Sequence, residues 1–196
     1  MPRCTDKLGG SRAVAARRAR AAAGLHGQVV EIGFGSGLDL PHLPDTVERV
    51  LAVDPSSTAR QLAAPRLADS RVPVDFVGAD AQVLPLDDAS VDGALTTFTL
   101  CTIPDVDAAL GELHRVLRSG GELHFLEHGL APDRRVARWQ HRLTPLQRRL
   151  MGGCHFDRPV DDLLTRNGFR ITRLDTGYLG WPKVATYLYE GVAVPA

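Results

Sequence analysis

The sequence predicts an α/β fold built on a doubly wound sheet, and three observations predict it. Apolar, β-branched runs alternate with segments of helical periodicity through the first two thirds of the chain, the order that builds a mostly parallel sheet covered by helices. The first run, Gln28 to Ile32, opens into the spaced glycines Gly33, Gly35 and Gly37. The second, Glu48 to Val53, ends in Asp54, an acid about 20 residues beyond the glycines, as doubly wound folds arrange it. With 196 residues and 44% hydrophobic content, the chain suffices for one sizeable core and one domain.

Taken in order, residues 1–24 form an Ala- and Arg-rich helical extension ahead of a single domain over 25–196. Arg12 to Ala23 has strong helix propensity and reads as a surface helix, with a lid over the pocket as the alternative. After the first two strands, Thr58 to Leu67 is a helix. Val74 to Val77 is a third strand leading into Gly78-Ala79-Asp80-Ala81, and Val91 to Thr99 a fourth that runs towards Cys101. In Val106 to Leu117, the residues Val106, Leu110, Leu113 and Leu117 recur at spacings of three and four, which gives one core-facing helical stripe. Pro104 and Asp105 start that helix and Gly120 stops it. Leu123 to Glu127 is the fifth strand. Val160 to Arg166 is a helix ended by Asn167-Gly168, with last strands around Phe169 to Leu174 and Val184 to Val194.

Residues 132–158 stand apart as a substrate-side insertion or lid, because Arg134 to Arg149 holds six arginines and no acid. Val136, Trp139, Leu143, Leu146 and Leu150 would line one helical face. Pro145 is expected to divide the segment into two short helices, with Thr144 as a cap. The segment is either a packed helix with a solvated basic face or, over 134–150, a peripheral membrane contact. No aromatic platform accompanies the arginines, so nucleic acid is not expected as a partner.

The pattern Glu31-x-Gly33-x-Gly35-x-Gly37 departs from the dinucleotide fingerprint G-x-G-x-x-G, in which a helix dipole receives a pyrophosphate. It points instead to a cofactor whose adenosine and charged amino-acid tail lie across the turn. Asp54 is placed to accept ribose hydroxyls, with Pro55 and Ser56 shaping the adenosine pocket. Phe34 would either close over the cofactor or pack beneath the first helix, and Ser36 could donate to a carboxylate.

On these residues the chain resembles the class I S-adenosylmethionine-dependent methyltransferases from about Gly24 onward. Glu31, Gly33, Gly35 and Gly37 match that family's first motif. Asp54 looks like its ribose-binding acid, and Asp80 with Ala81 like its adenine-contacting turn. Val116 to Gly121 looks like its turn before the fifth strand. A narrower similarity links Thr99 to Ile103, Phe125 to His128, Gly153 to Arg158 and Tyr189 to Val194 to the thiol S-methyltransferase branch known as methyltransferase-like protein 7. The resemblance implies a Rossmann-like, seven-stranded sheet, mostly parallel with an antiparallel last strand and helices on both faces. It also implies S-adenosylmethionine as cofactor and a small or amphipathic acceptor, with a thiol preferred. A lipid amine or quinone-type ring is the alternative acceptor, and a non-catalytic cofactor-binding regulator the alternative class. Mammalian members of the narrow branch carry a hydrophobic amino-terminal segment, whereas the first 25 residues here are rich in alanine and arginine.

Methyl transfer from a sulfonium is an in-line displacement that mainly requires alignment and desolvation. A thiol acceptor adds one requirement, since only the thiolate attacks and an unperturbed thiol has a pKa of about 8.5. His128, after the fifth strand, is the leading residue to promote that ionisation, with Glu127 beside it to orient it. Cys154 and His155 lie in a segment without regular periodicity and join His128 as catalytic candidates. Thr97, Phe98 and Thr99 would line the pocket next to Cys101. No metal is expected, because neither a C-x-x-C pair nor metal-ligand spacing is present.

A net charge of zero gives no global argument for a polyanionic partner. Cys4, Cys101 and Cys154 leave one thiol unpaired under any disulfide scheme, so reduced thiols are expected. No stretch approaches the roughly 20 apolar residues that span a bilayer, nor is there a signal-peptide core. A soluble cytoplasmic protein is the simplest expectation, and the oligomeric state stays open.

Overall fold

The computed structural model describes residues 10–150 and 152–196. Cys4 and the first nine residues of the amino-terminal extension lie outside them. Seven strands form one sheet: β1 (Gly27–Ile32), β2 (Val47–Val53), β3 (Val74–Gly78), β4 (Val91–Thr97), β5 (Leu117–His128), β6 (Phe169–Tyr178) and β7 (Tyr187–Pro195). Their spatial order is β3-β2-β1-β4-β5-β7-β6. The pairings from β3 across to β5 are parallel, while β7 runs antiparallel to both β5 and β6. Winding therefore reverses between β1 and β4. In open α/β sheets that switch point opens a crevice at the carboxyl ends of the strands.

The helices are α1 (Arg12–Ala22), α2 (Ser57–Ala68), α3 (Val106–Val116), α4 (Arg134–Leu150) and α5 (Val160–Arg166). They cover both faces, which gives the core two halves. Val106, Leu110 and Leu113 of α3 are buried as their spacing predicts, against Val30, Ile32 and Phe125 on one face. Ala22 of α1 and Ala63 of α2 pack with Leu25, Phe34, Val50 and Leu95 on the other. Each fully buried leucine or phenylalanine contributes about 1.5–3 kcal/mol. Asp105 caps α3 by accepting a hydrogen bond from the Ala108 amide at 3.0 Å, as the start signal implied.

Three local expectations are corrected. The fifth strand begins at Leu117 rather than Leu123: Leu117 pairs with Val91, residues 118–121 form a bulge with Gly120 at φ +82°, and pairing resumes at Glu122 opposite Gly93. Pro145 does not divide the arginine-rich segment, for α4 runs unbroken through it. Proline removes the N–H that would reach the His141 carbonyl and crowds that carbonyl, and the Thr144 hydroxyl bonds the neighbouring Gln140 carbonyl at 2.8 Å. Among the described residues, the buried stripe of α4 also keeps only Val136 of the expected apolar one. Val136, Gln140 and Thr144 face inward, whereas Trp139 and Leu146 are 54% and 56% exposed.

Gln140 explains that rotation. Its amide donates to the Gly129 and Val184 carbonyls at 3.0 and 3.3 Å, and its oxygen accepts from the Ala131 amide at 2.9 Å. The loop after β5 carries buried backbone groups that need partners, and an inward glutamine supplies three. The amino-terminal helix is likewise more than a surface attachment. Val14, Ala21 and Ala22 are buried, and Arg17 and Arg20 bond Glu190 of β7 at 3.2 and 2.8 Å.

Glu127 joins β4 to β5 from within. Fully buried, it accepts from the Thr96 hydroxyl at 2.6 Å and from the Thr99 amide at 2.9 Å, so its bonds go to the β4 end rather than to His128. Replacing Glu127 with alanine leaves the Thr99 amide buried without an acceptor. Chemical denaturation should show a loss of about 2–4 kcal/mol, with a smaller loss for Glu127→Gln.

Candidate functional site

The glycine turn sits at the carboxyl end of β1. Gly33, Gly35 and Gly37 all have positive φ, at +72°, +59° and +73°. At Gly33 a Cβ would stand 2.0 Å from the Thr99 hydroxyl, so this position also admits the β4 loop. Asp54, at the end of β2, holds the turn: one carboxylate oxygen accepts from the Gly35 amide and the other from the Ser56 amide, both at 2.7 Å. Each oxygen keeps a lone pair for a ribose hydroxyl.

Several expected cofactor residues have other duties. Phe34 is 2% exposed and packs edge-on to Phe76 at 5.2 Å, so its side chain belongs to the core and only its backbone borders the turn. The Ser56 hydroxyl caps α2 by accepting from the Ala59 amide at 3.1 Å, with Pro55 exposed beside it. Ser36 is buried within the turn, and its carbonyl accepts from Arg66 at 2.9 Å. Asp80 and Ala81 follow β3. Asp80 is exposed, and the backbone and side-chain amides of Gln82, both at 2.9 Å, lower its pKa.

Under the turn lies a buried polar cluster that sequence reasoning found only in part. Arg18 of α1 donates to an Asp39 oxygen at 2.6 Å and to the Thr97 hydroxyl at 2.7 Å, and its guanidinium lies 5.4 Å from the Phe98 ring centre. Glu31, at 1% exposure, has no hydrogen-bond partner for either oxygen, and the second Asp39 oxygen has none. Burial and the adjacent Asp39 carboxylate push the Glu31 pKa well above the usual carboxylate range, against the opposing pull of Arg18. These carboxylate oxygens have no partner beyond the Glu31–Asp39 contact itself, and beside a glycine turn they suit a cationic ligand group. Arg18 and Asp39 carried no motif, and an arginine in an alanine-rich helix looks like any solvated one.

Next to this cluster the backbone of Phe98 adopts φ +53°, a conformation that a bulky residue rarely holds without surrounding constraint. The Glu127 bond to Thr99 and the Phe98 amide bond to the Leu126 carbonyl at 2.8 Å supply that constraint. The ring is thereby presented edge-on to His128 at 5.0 Å. Phe156 approaches His128 from another side at 6.3 Å.

Cys154 meets His128 there, together with Cys101 from the loop after β4. The two sulfurs stand 3.5 Å apart, both residues are buried, and no disulfide joins them. The Cys154 thiol is held below the usual thiol pKa, mainly by its hydrogen-bond contact with Cys101 and further by His128, with burial opposing, while that same contact and burial push Cys101 up. His155, expected as a catalytic residue, instead braces this loop. Its ring Nδ1 and its amide both bond the Cys101 carbonyl, at 3.0 and 2.8 Å. Arg158 completes the brace by donating to the Leu100 carbonyl and, at 2.7 Å, to the Ile103 carbonyl. A groove lined by Pro145, Arg148, Arg149 and Gly153 opens where the chain enters Cys154.

A sheet of this order, with a glycine turn and a β2 acid at its switch point, is the arrangement of nucleoside-cofactor folds. Comparison with known proteins makes the class specific. A family model described as a methyltransferase domain matches residues 30–125. Human thiol S-methyltransferase TMT1A is 30% identical over 173 residues, covering 85% of this chain and 70% of that protein. Demethylmenaquinone methyltransferase from Roseiflexus castenholzii is 36% identical over 132 residues, 64% of this chain and 55% of its own length. Among solved structures, geranyl diphosphate methyltransferase in complex with S-adenosylmethionine superposes with a TM-score of 0.72 at 13% identity. That match covers 97% of this chain and 87% of the other, and it is a likeness of fold. The chain belongs to the class I S-adenosylmethionine-dependent methyltransferases, and S-adenosylmethionine is its cofactor.

Arg18 ties the amino-terminal helix to this cofactor pocket. Arg18→Ala should leave Asp39 without its cation and weaken S-adenosylhomocysteine binding by roughly tenfold or more in calorimetry, from about 1.5–3 kcal/mol for a charged hydrogen bond. Arg12→Ala, on the exposed face of the same helix, should leave binding unchanged.

Proposed function

We propose that this methyltransferase methylates the sulfur of a small or amphipathic thiol, with the acceptor entering beside His128. The observation that carries this reading is the buried cluster of Cys101 and Cys154 beside His128, with Phe98 and Phe156 edge-on to the imidazole, at the carboxyl edge of β4 and β5. The similarity to a thiol S-methyltransferase supports it.

The bound cofactor supplies a methyl group already activated on a sulfonium. The chain's own residues align and desolvate the partners. Asp54 accepts the ribose hydroxyls while keeping its bonds to the turn, and Asp80 with Ala81 borders the adenine side. The free oxygens of Glu31 and Asp39 receive the ammonium of the amino-acid tail. Thr97, Phe98 and Thr99 form the wall between that tail and the acceptor. His128 accepts the thiol proton as the sulfur approaches, which favours the thiolate in an environment that otherwise opposes charge. The groove walls Arg148 and Arg149 favour acceptors with an anionic end. S-Adenosylhomocysteine release with a panel of alkyl thiols, amines, phenols and quinols tests this reading. Turnover with thiols, lost when the thiol is capped as a thioether, is expected; turnover confined to another class would reject it.

A second reading rests on the exposed Trp139 and Leu146 among the arginines of α4, and on the similarity to a quinone-precursor methyltransferase. Among the described residues no helix is long and apolar enough to cross a membrane, but this face suits an anionic bilayer surface. Co-sedimentation with anionic vesicles, reduced by Trp139→Glu, is the outcome that would favour it.

Glu31 gives a pH prediction. Its raised pKa means that the free protein gains stability from the protonated acid below the ordinary carboxylate pKa and loses it as pH rises through the raised value. The cofactor ammonium has the opposite preference, because it pairs with the ionised acid. Calorimetry in buffers of different ionisation enthalpy should therefore show proton release on cofactor binding, with affinity rising across that same window. Glu31→Gln should abolish the proton release and weaken binding by about 1–3 kcal/mol.

A further inference from the structure

We propose that Cys101, Cys154 and His128 constitute a binding site for a thiophilic divalent ion of the zinc class, with two thiolates and one imidazole as ligands and a fourth position open. The three donor atoms lie within 4.8 Å of one another although 53 residues separate the two cysteines, so no sequence spacing could reveal them. Two sulfurs bound tetrahedrally at about 2.3 Å from a zinc ion stand roughly 3.8 Å apart. The observed 3.5 Å is close to that and well beyond a disulfide bond length of about 2.05 Å. Ligand type agrees as well, since thiolate and imidazole are the donors zinc prefers over carboxylate-binding ions.

The framework is already organised. Cys101 is fixed by His155 and Arg158, which hold the carbonyls of Leu100, Cys101 and Ile103. His128 is held edge-on by Phe98 and Phe156, with a ring nitrogen within 4.8 Å of both sulfurs. Packing alone accounts for Cys101, Cys154 and Phe156 as a small buried cluster. It does not account for an imidazole aimed at the same point. Three protein ligands with one open position is the arrangement of ion sites that bind a reacting group. If the thiol reading above holds, the open position takes the acceptor sulfur: the S–H proton leaves to solvent and the bound sulfur forms the new S–CH₃ bond as the methyl–sulfonium bond breaks. His128 then ligates rather than accepting the proton.

The binding step is testable without cofactor or acceptor. Purified protein, reduced with a phosphine, is titrated with Cd²⁺ while the ultraviolet thiolate-to-cadmium absorption is followed. One equivalent with a saturating band is expected. Cys101→Ser, Cys154→Ser and His128→Ala should each weaken binding on the order of tenfold or more. Cys4→Ser, outside the described residues, should leave it unchanged. Retained S-adenosylhomocysteine binding by each variant shows that it folds. Absence of a stoichiometric band, or a band that survives both Cys101→Ser and Cys154→Ser, would overturn the site. In the Co²⁺-loaded protein, a visible spectrum unmoved by alkyl thiols would leave the ion site standing and remove the thiol from its fourth position.

Discussion

The arrangement depends most on the buried contact among Arg18, Asp39 and Thr97. Three strongly polar groups lie under the switch point of the sheet, each nearly inaccessible, and their bonds of 2.6–2.7 Å hold together elements far apart in the chain. Burying a guanidinium and a carboxylate is costly unless they pair. Pairing them leaves Glu31 and one Asp39 oxygen without partners beside the glycine turn. The polarity left to the proposed cofactor site is therefore what remains after the structural ion pair has formed.

The acceptor side follows a parallel logic. Glu127 clamps the end of β4 and forces Phe98 into positive φ, which turns an aromatic ring towards His128. From across the chain, His155 and Arg158 secure the Cys101 loop, and Gln140 secures the loop after β5 against α4. Donor and acceptor halves meet at Thr97 to Thr99. These three residues touch Arg18, His128 and Glu127 in succession, so a change on either side is transmitted by direct contact.

The strands and α3 were legible because their signals are local: β-branched runs, a three-four apolar stripe, a capping aspartate and a stopping glycine. The glycine turn with Glu31 and Asp54 was legible for the same reason, since spacing along one strand and turn defines it. What stayed hidden depends on partners distant in sequence. Gln140, rather than the apolar residues, decides which face of α4 turns inward, because the loop after β5 needs its bonds. Ser56 was assigned to the adenosine pocket on proximity, yet helix capping uses its hydroxyl, and of the two alternatives for Phe34 the structure takes core packing. Arg18 lay unmarked within the Ala- and Arg-rich stretch read as a surface helix. The Cys101, His128 and Cys154 group arises only when three separate loops close.

The methyl donor is proposed to lie between the Glu31–Asp39 oxygens and the Cys154–His128 wall. A crystal structure with S-adenosylhomocysteine bound tests this most directly. The ammonium is expected within hydrogen-bond distance of Glu31 and Asp39, the ribose on Asp54, and the sulfur facing Phe98 and His128. A cofactor whose ammonium avoids Glu31 and Asp39, or whose sulfur points away from His128, would contradict it.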